Sequence, residues 1–316
     1  MTATVARATT AESPRNLRPS QTLVIDHVTK RYGRDTVVRD LSFTAQPGRV
    51  TGFLGPNGAG KSTTMKIMLD LAAADEGRAT IGNKRYRDLT DPTRAVGVML
   101  EPNFHPGRSG RDHLRIVALA AGIPPARADE MLESVGLTVA AHRRAGAYSL
   151  GMRQRLGLAA ALLGDPPVLI LDEPGNGLDP EGIRTLRKLL RARAAQGHTV
   201  FVSSHLLAEV EHLADDVVVI NRGRLVTAGS LADLQHAAAF VRTPAPERLR
   251  DVISAAGGSA QIRSGDGLLV RGMDLDTIGE AAFHAGIPIH ELSPEAGSLE
   301  ELFLNWTSDD VEEVER

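Results

Sequence analysis

The chain of 316 residues contains no cysteine, which excludes disulfide scaffolds and thiolate metal sites. No apolar run approaches the ~18 residues that a membrane span needs. The longest candidates, residues 116–126 and 156–164, are short and broken by Gly and Pro. The N-terminal residues carry no apolar core between their charges, so they do not read as a secretory signal. Charge imbalance is also missing: 36 Lys and Arg against 39 Asp and Glu leave a net charge of −3. No global basic field therefore favours nucleic acid, and no nucleic-acid partner is expected. These absences predict a cytoplasmic protein whose membrane role, if any, runs through a partner. What remains is ordinary for a globular chain, with 42% hydrophobic and 24% charged residues. The length allows about two domains.

The strongest positive signal is Gly55-Pro56-Asn57-Gly58-Ala59-Gly60-Lys61-Ser62, which reads G-x-x-x-x-G-K-S, a phosphate-binding loop. Its glycines let the backbone bend tightly and approach a ligand. The loop's N–H groups and the start of the following helix form an anion site. Lys61 supplies a charge for the β- and γ-phosphates, and the Ser62 hydroxyl suits Mg²⁺. The flanks fit, with a short buried strand predicted over 50–54 and a helix over 63–71 that opens at Thr63.

The second signal is Val168-Leu169-Ile170-Leu171-Asp172-Glu173. Four apolar residues without alternation read as a parallel strand buried on both faces. Two carboxylates at the end of such a strand are costly without partners or work. Beside a phosphate loop, Asp172 is the expected Mg²⁺ partner. Glu173 would then orient or deprotonate an attacking water. Asp179-Pro180-Glu181 is a helix start, followed by a strand over 199–203 that ends at Ser204-His205. A lone His after a strand reads as an ordinary surface or core residue, but if the sheet is parallel, ligands bind beyond its C-terminal strand ends, which favours a γ-phosphate contact for His205.

Elsewhere the residues leave alternatives open. Residues 1–20 are Ala-, Thr-, Arg- and Pro-rich without periodicity and read as a disordered tail. Strands are expected over 21–26 and 37–43. Tyr32, between them, either stacks on a base face or lies half-buried at a strand edge. A β-rich region continues over 76–82 and 84–86, and an apolar strand over 96–100 ends at Glu101. That carboxylate is either a site group or a solvated loop residue. Helices over 111–121 and 126–135 form an insert. Tyr148-Ser149-Leu150-Gly151-Met152 opens a further helix, where Ser149 either serves an anion or only caps the helix. A hairpin over 217–227 and a helical link over 229–239 follow. The pattern then becomes β-α-β-β-α-β, with strands over 239–241, 260–263, 268–271 and 287–291 and helices over 245–255 and 274–285. A last helix is expected over 298–304, and residues 309–316 form an acidic tail.

In order and spacing, these motifs resemble the ATP-binding subunit of an ABC transporter over residues 21–230. Gly55–Ser62 matches Walker A, and Asp172-Glu173 matches Walker B with its catalytic glutamate. Residues 148–152 sit at the signature motif and 176–179 at the D-loop, while His205 matches the switch histidine and Tyr32 the aromatic A-loop. The form Tyr-Ser-Leu-Gly-Met-Arg-Gln-Arg resembles soluble subunits of the antibiotic and multidrug export branch, which pair with a separate ABC-2-type permease.

The implied fold is α/β. It is a P-loop NTPase with a mostly parallel core sheet, an antiparallel β subdomain and a helical insert over 21–232, then a ferredoxin-like α+β unit over 238–306. The implied cofactors are ATP and Mg²⁺. The resemblance implies that Gly55, Pro56, Asn57, Gly58, Ala59, Gly60, Lys61, Ser62, Thr63 and Tyr32 hold ATP. Asp179 is implied with them, and Ser149 and Gly151 complete the site from a second copy. Ser62, Asp172 and Glu101 face the metal, and Glu173 and His205 are catalytic. The implied assembly is a homodimer bound to the permease on the inner face of the membrane, docked through residues 105–123, whose apolar face reads equally well as core.

Two positions depart from the family pattern. Leu150 and Met152 stand where the signature has Gly and Gln. Glu101 stands where the Q-loop has Gln, which adds a charge and removes an amide donor. A sensor or self-resistance ATPase without a transport partner remains the alternative. A guanine-reading N-K-x-D motif is absent.

Overall fold

The computed structural model describes residues 21–101, 104–235, 238–263, 266–295, 299–300 and 303. The chain begins with strands β1 (Leu23–Tyr32) and β2 (Asp35–Ala45), followed by β3 (Val50–Leu54), α1 (Lys61–Met68) and β4 (Glu76–Ile81). The strands β2-β1-β4 form an antiparallel sheet. A short α2 (Pro92–Ala95) leads into β5 (Val96–Met99), then the helices α3 (Gly110–Ala120), α4 (Arg127–Ser134) and α5 (Leu150–Leu162). Next come β6 (Val168–Asp172), α6 (Pro180–Ala195), β7 (Thr199–Ser203), α7 (Leu207–Leu213) and the hairpin β8 (Asp216–Asn221) and β9 (Arg224–Ser230).

The core sheet runs β5-β6-β7-β3-β8-β9, parallel throughout except for the β8–β9 hairpin. Its strands are apolar on both sides because both sides are covered. Leu169 and Leu171 of β6 pack with Leu156 and Leu162 of α5 and Leu190 of α6. Val168 and Ile170 face the other way, toward Met65 and Met68 of α1 and the antiparallel sheet. Phe43 of β2 meets Phe53 of β3 and Phe201 of β7 with ring centroids 5.5 and 5.7 Å apart, which fastens the antiparallel sheet onto the core.

After α8 (Leu231–Gln235), the chain builds β10 (Ala238–Arg242), α9 (Pro246–Ala255), β11 (Ser259–Ile262), β12 (Gly267–Arg271), α10 (Leu275–His284) and β13 (Glu291–Glu295). The sheet order β11-β12-β10-β13 is antiparallel, with both helices packed on one face through Leu249, Ile253, Ile278 and Ala282. This is the ferredoxin-like arrangement. Leu299 then returns to the nucleotide-binding side, fully buried with Leu54, Val210 and Leu231.

Several expected elements are displaced. The first strand extends to Tyr32 because register shifts and a left-handed His27 (φ 50) let it bend without ending. Residues 84–86 are not strand: Lys84 makes one bridge to Ile81 and Tyr86–Asp88 is a 3₁₀ turn. The helix α7 was not anticipated. The link over 229–239 is helical over Leu231–Gln235 (α8), with the ends of β9 and β10 taking its first and last two residues. The last strand lies at Glu291–Glu295, not at 287–291. Ile287 instead packs as a loop residue against α9 and α10, and Pro294 is tolerated because β13 is an edge strand. In the helix expected over 298–304, Leu299, Glu300 and Phe303 are helical; the other residues lie outside those described, as do residues 1–20 and 309–316.

Candidate active site

β6, β7 and β3 are adjacent and parallel, so Asp172, Ser203 and the loop after Leu54 emerge at one edge of the sheet. The loop backbone needs glycine for two different reasons. A side chain at Gly55 would come within 2.5 Å of the Ile220 carbonyl. Gly60 adopts φ +104, a conformation that side chains avoid. The helix α1 that follows has no side-chain cap and no acidic residue in its first turn, which leaves its positive end available to an anion.

Lys61 is 7% exposed, and its Nζ donates to the carbonyls of Gly55 (2.5 Å) and Pro56 (3.3 Å). Burial pulls its pKa below that of an ordinary lysine, against the opposing pull of the nearby Glu173 and Asp172 carboxylates. This is a cation held in place by weak acceptors, the arrangement a phosphate can take over. The Ser62 hydroxyl donates to Asp172 Oδ2 at 3.1 Å. A hydroxyl and a carboxylate brought together offer the oxygen donors that Mg²⁺ prefers, so these residues fit that ion.

Glu173 sits in a left-handed backbone conformation (φ 48). Its Oε2 meets His205 Nδ1 at 2.7 Å and accepts from the His205 N–H at 3.3 Å. The strand-end pattern thus delivers a carboxylate paired to an imidazole beside the phosphate loop. An open cleft of about 500 Å³ runs between this edge and α5, lined by the loop, Ser62, Asp172, Glu173, Glu101 and Gln154.

Lys61, Ser62, Asp172, Glu173 and Glu101 therefore share one cleft, as the sequence predicts, with His205 joined to it through Glu173. Glu101 lines the wall without entering an acidic cluster; among the described residues, no three carboxylate or imidazole groups gather as a metal site. Pro56, Asn57, Gly58, Gly60 and Thr63 line it too, whereas Tyr32, Ser149, Gly151 and Asp179 do not. Tyr32 ends β1, half exposed, with Lys30 Nζ 5.2 Å from its ring centroid. Ser149 caps α5 by accepting from the Met152 N–H at 3.3 Å, and Gly151 packs against Gly177. Asp179 caps α6 at the Gly182 N–H and pairs with Arg155 at 2.9 Å.

Three residues were missed. Ser203 binds both Asp172 and Glu173. Glu209 lies against Gly175, and burial, reinforced by Glu173, raises its pKa. Gln154 is buried with its Oε1 lacking a partner. The available signal for Ser203 was a hydroxyl closing the apolar run Val200-Phe201-Val202.

The protein-family model for ABC transporters matches residues 38–176, and a domain of unknown function (DUF8746) matches residues 237–300. The chain is 37% identical over 303 residues to the uncharacterized ABC transporter ATP-binding protein YhcH of Bacillus subtilis (strain 168), covering 93% of this chain and 98% of that one. It is 42% identical over 203 residues to the bacitracin transport ATP-binding protein BcrA of Bacillus licheniformis, covering 63% of this chain and 66% of that one. A solved ATP-binding subunit of an ABC transporter superposes with a TM-score of 0.62 at 30% identity, covering 67% of this chain and 91% of that chain. With the phosphate loop, paired carboxylates and histidine at one sheet edge, the chain belongs to the ABC transporter ATP-binding proteins and is an ATPase of that family.

Proposed function

We propose that this ATPase works as a head-to-tail homodimer on a separate ABC-2-type membrane permease, at the cytoplasmic face, and powers export of a drug, antibiotic or lipid-like substrate. The observation that carries the reading is the pairing of Ser62 with Asp172 and of Glu173 with His205 around an uncapped helix start. Each chain supplies one such cleft and one signature segment. Ser149, at the exposed N-terminus of α5, does not line its own chain's cleft, so a second copy is the natural recipient. Ile116 and Leu119 on α3 are exposed apolar residues suited to the permease. The bacitracin transport relative supports an antibiotic-type substrate.

In this reading, Lys61 exchanges its loop carbonyls for phosphate oxygens. Ser62 and Asp172 would hold Mg²⁺, which when bound neutralises charge on the phosphates. Glu173 takes the proton of the attacking water while His205 holds its Oε2; such base catalysis is worth ~10²–10⁴-fold. The test is Glu173→Gln. It should bind ATP, accumulate as an ATP-bound dimer in gel filtration, and lose turnover by at least about 100-fold. Turnover at the wild-type rate would refute the catalytic assignment. Purification of the tagged protein from its native membranes in mild detergent tests the partner: a stoichiometric polytopic protein is expected, and a clean dimer alone would refute the permease.

A further inference from the structure

Ser203 closes β7 and is completely buried. It is the register partner of Asp172 across the β6–β7 pair. Its hydroxyl engages both residues of the acidic pair: Oγ donates to Asp172 Oδ1 and accepts from the Glu173 N–H at 3.0 Å. The direction of both bonds is forced. A backbone N–H can only donate, so the hydroxyl must accept there, and its single proton is left for Asp172. Asp172 thereby accepts at Oδ1 from Ser203, with Oδ2 turned toward Ser62. Glu173 gains a partner for its amide where the chain leaves the sheet in a left-handed conformation. Val200, Phe201 and Val202 precede it in β7, and a buried hydroxyl after such a run is costly unless both its roles are used.

We propose that Ser203 is a positioning residue for the hydrolysis reaction, setting Asp172 through its side chain and Glu173 through its backbone with one hydroxyl. This rests on the roles assigned above to those two carboxylates. Partners that orient metal ligands in this way typically account for 10–100-fold in metal affinity or activity.

Ser203→Ala tests it. Binding of ATP without metal should stay within about twofold of wild type, since Lys61 and the loop are untouched. Binding of Mn²⁺ with ADP, followed by electron paramagnetic resonance, should weaken about 10–100-fold, and kcat should fall by a similar factor with little change in KM for ATP. A Ser203 that merely supports the fold would not separate metal binding from metal-free nucleotide binding. Wild-type Mn²⁺ affinity and kcat in Ser203→Ala, alongside an inactive Glu173→Gln, would overturn this proposal alone. An active Glu173→Gln would overturn the carboxylate assignment, and this proposal with it. Amide hydrogen exchange on the unaltered, nucleotide-free protein decides the matter even if Ser203→Ala misfolds: protection at Glu173 is expected, and exchange at the unprotected rate would overturn the proposal.

Discussion

The left-handed backbone at Glu173 yields a prediction in which an ordinary stability rule reverses sign. A residue with a Cβ in this conformation costs ~1–2 kcal/mol. Glu173→Gly and Glu173→Ala both delete the carboxylate and lose the contact to His205 equally. That contact is modest, about 0.2–1 kcal/mol, because the side chains are 26% and 47% exposed. The difference between the two variants therefore isolates the Cβ. At most positions Gly is less stable than Ala by about 0.5–1 kcal/mol. Here relief of ~1–2 kcal/mol outweighs an unfolded-state entropy cost of ~0.4–1 kcal/mol. The Gly variant should come out ahead by about 0.5–1 kcal/mol, or roughly 1–3 °C in melting temperature. Calorimetry of the nucleotide-free proteins measures this, read on the transition that ATP shifts upward, which marks the nucleotide-binding portion. Both variants should bind ATP and neither should turn over, so stability gained at this position accompanies lost function. An Ala variant that melts as high as the Gly variant, or higher, would refute the idea that strain is stored at Glu173.

Two further predictions follow from single contacts. A Cβ at Gly151 would lie 2.6 Å from the Gly177 carbonyl, so Gly151→Ala must push aside the loop that Asp179 anchors to α6 and Arg155. ATPase activity should fall more than about tenfold, ~1.4 kcal/mol, while ATP binding by the monomer is retained; full activity in a steady-state assay would contradict the placement. Glu209 has a pKa raised above 4.5, first by burial and then by Glu173, so the folded state binds its proton more tightly than the unfolded state does. Its contribution to stability is present below pH 4.5 and is lost as pH rises through the raised value. Glu209→Gln should therefore melt above wild type at neutral pH and match it in acid; thermal scans across pH that show a constant offset would refute the linkage.

The phosphate loop, the helix starts at Ser149, Asp179 and Asp274, and the buried strand before Asp172 were legible because each carries its own local chemistry. A glycine spacing, an oxygen before a helix, or an unbroken apolar run acts within a few residues of itself. The resemblance then supplied the joint use of Asp172, Glu173 and His205. What stayed hidden depends on which strands are neighbours. Ser203 lies 31 residues from Asp172 and meets it only because β7 inserts between β6 and β3. Its one local mark, a hydroxyl after the apolar run Val200-Phe201-Val202, says nothing of Asp172 until the strand order is known. Glu209 is hidden for the same reason, since α7 escaped notice and with it the side chain that lies against Gly175. The edge strand β13 shows the converse error. Its sequence Glu-Leu-Ser-Pro-Glu is poor strand material, while the apolar residues just before it are better, and packing against α9 and α10 claimed those first. Side chains that do the chemistry are thus announced by the motifs that hold them. The groups that orient those side chains come from the next strand over, so an apolar run closed by a hydroxyl beside an acidic strand end is the pattern to look for when only a sequence is in hand.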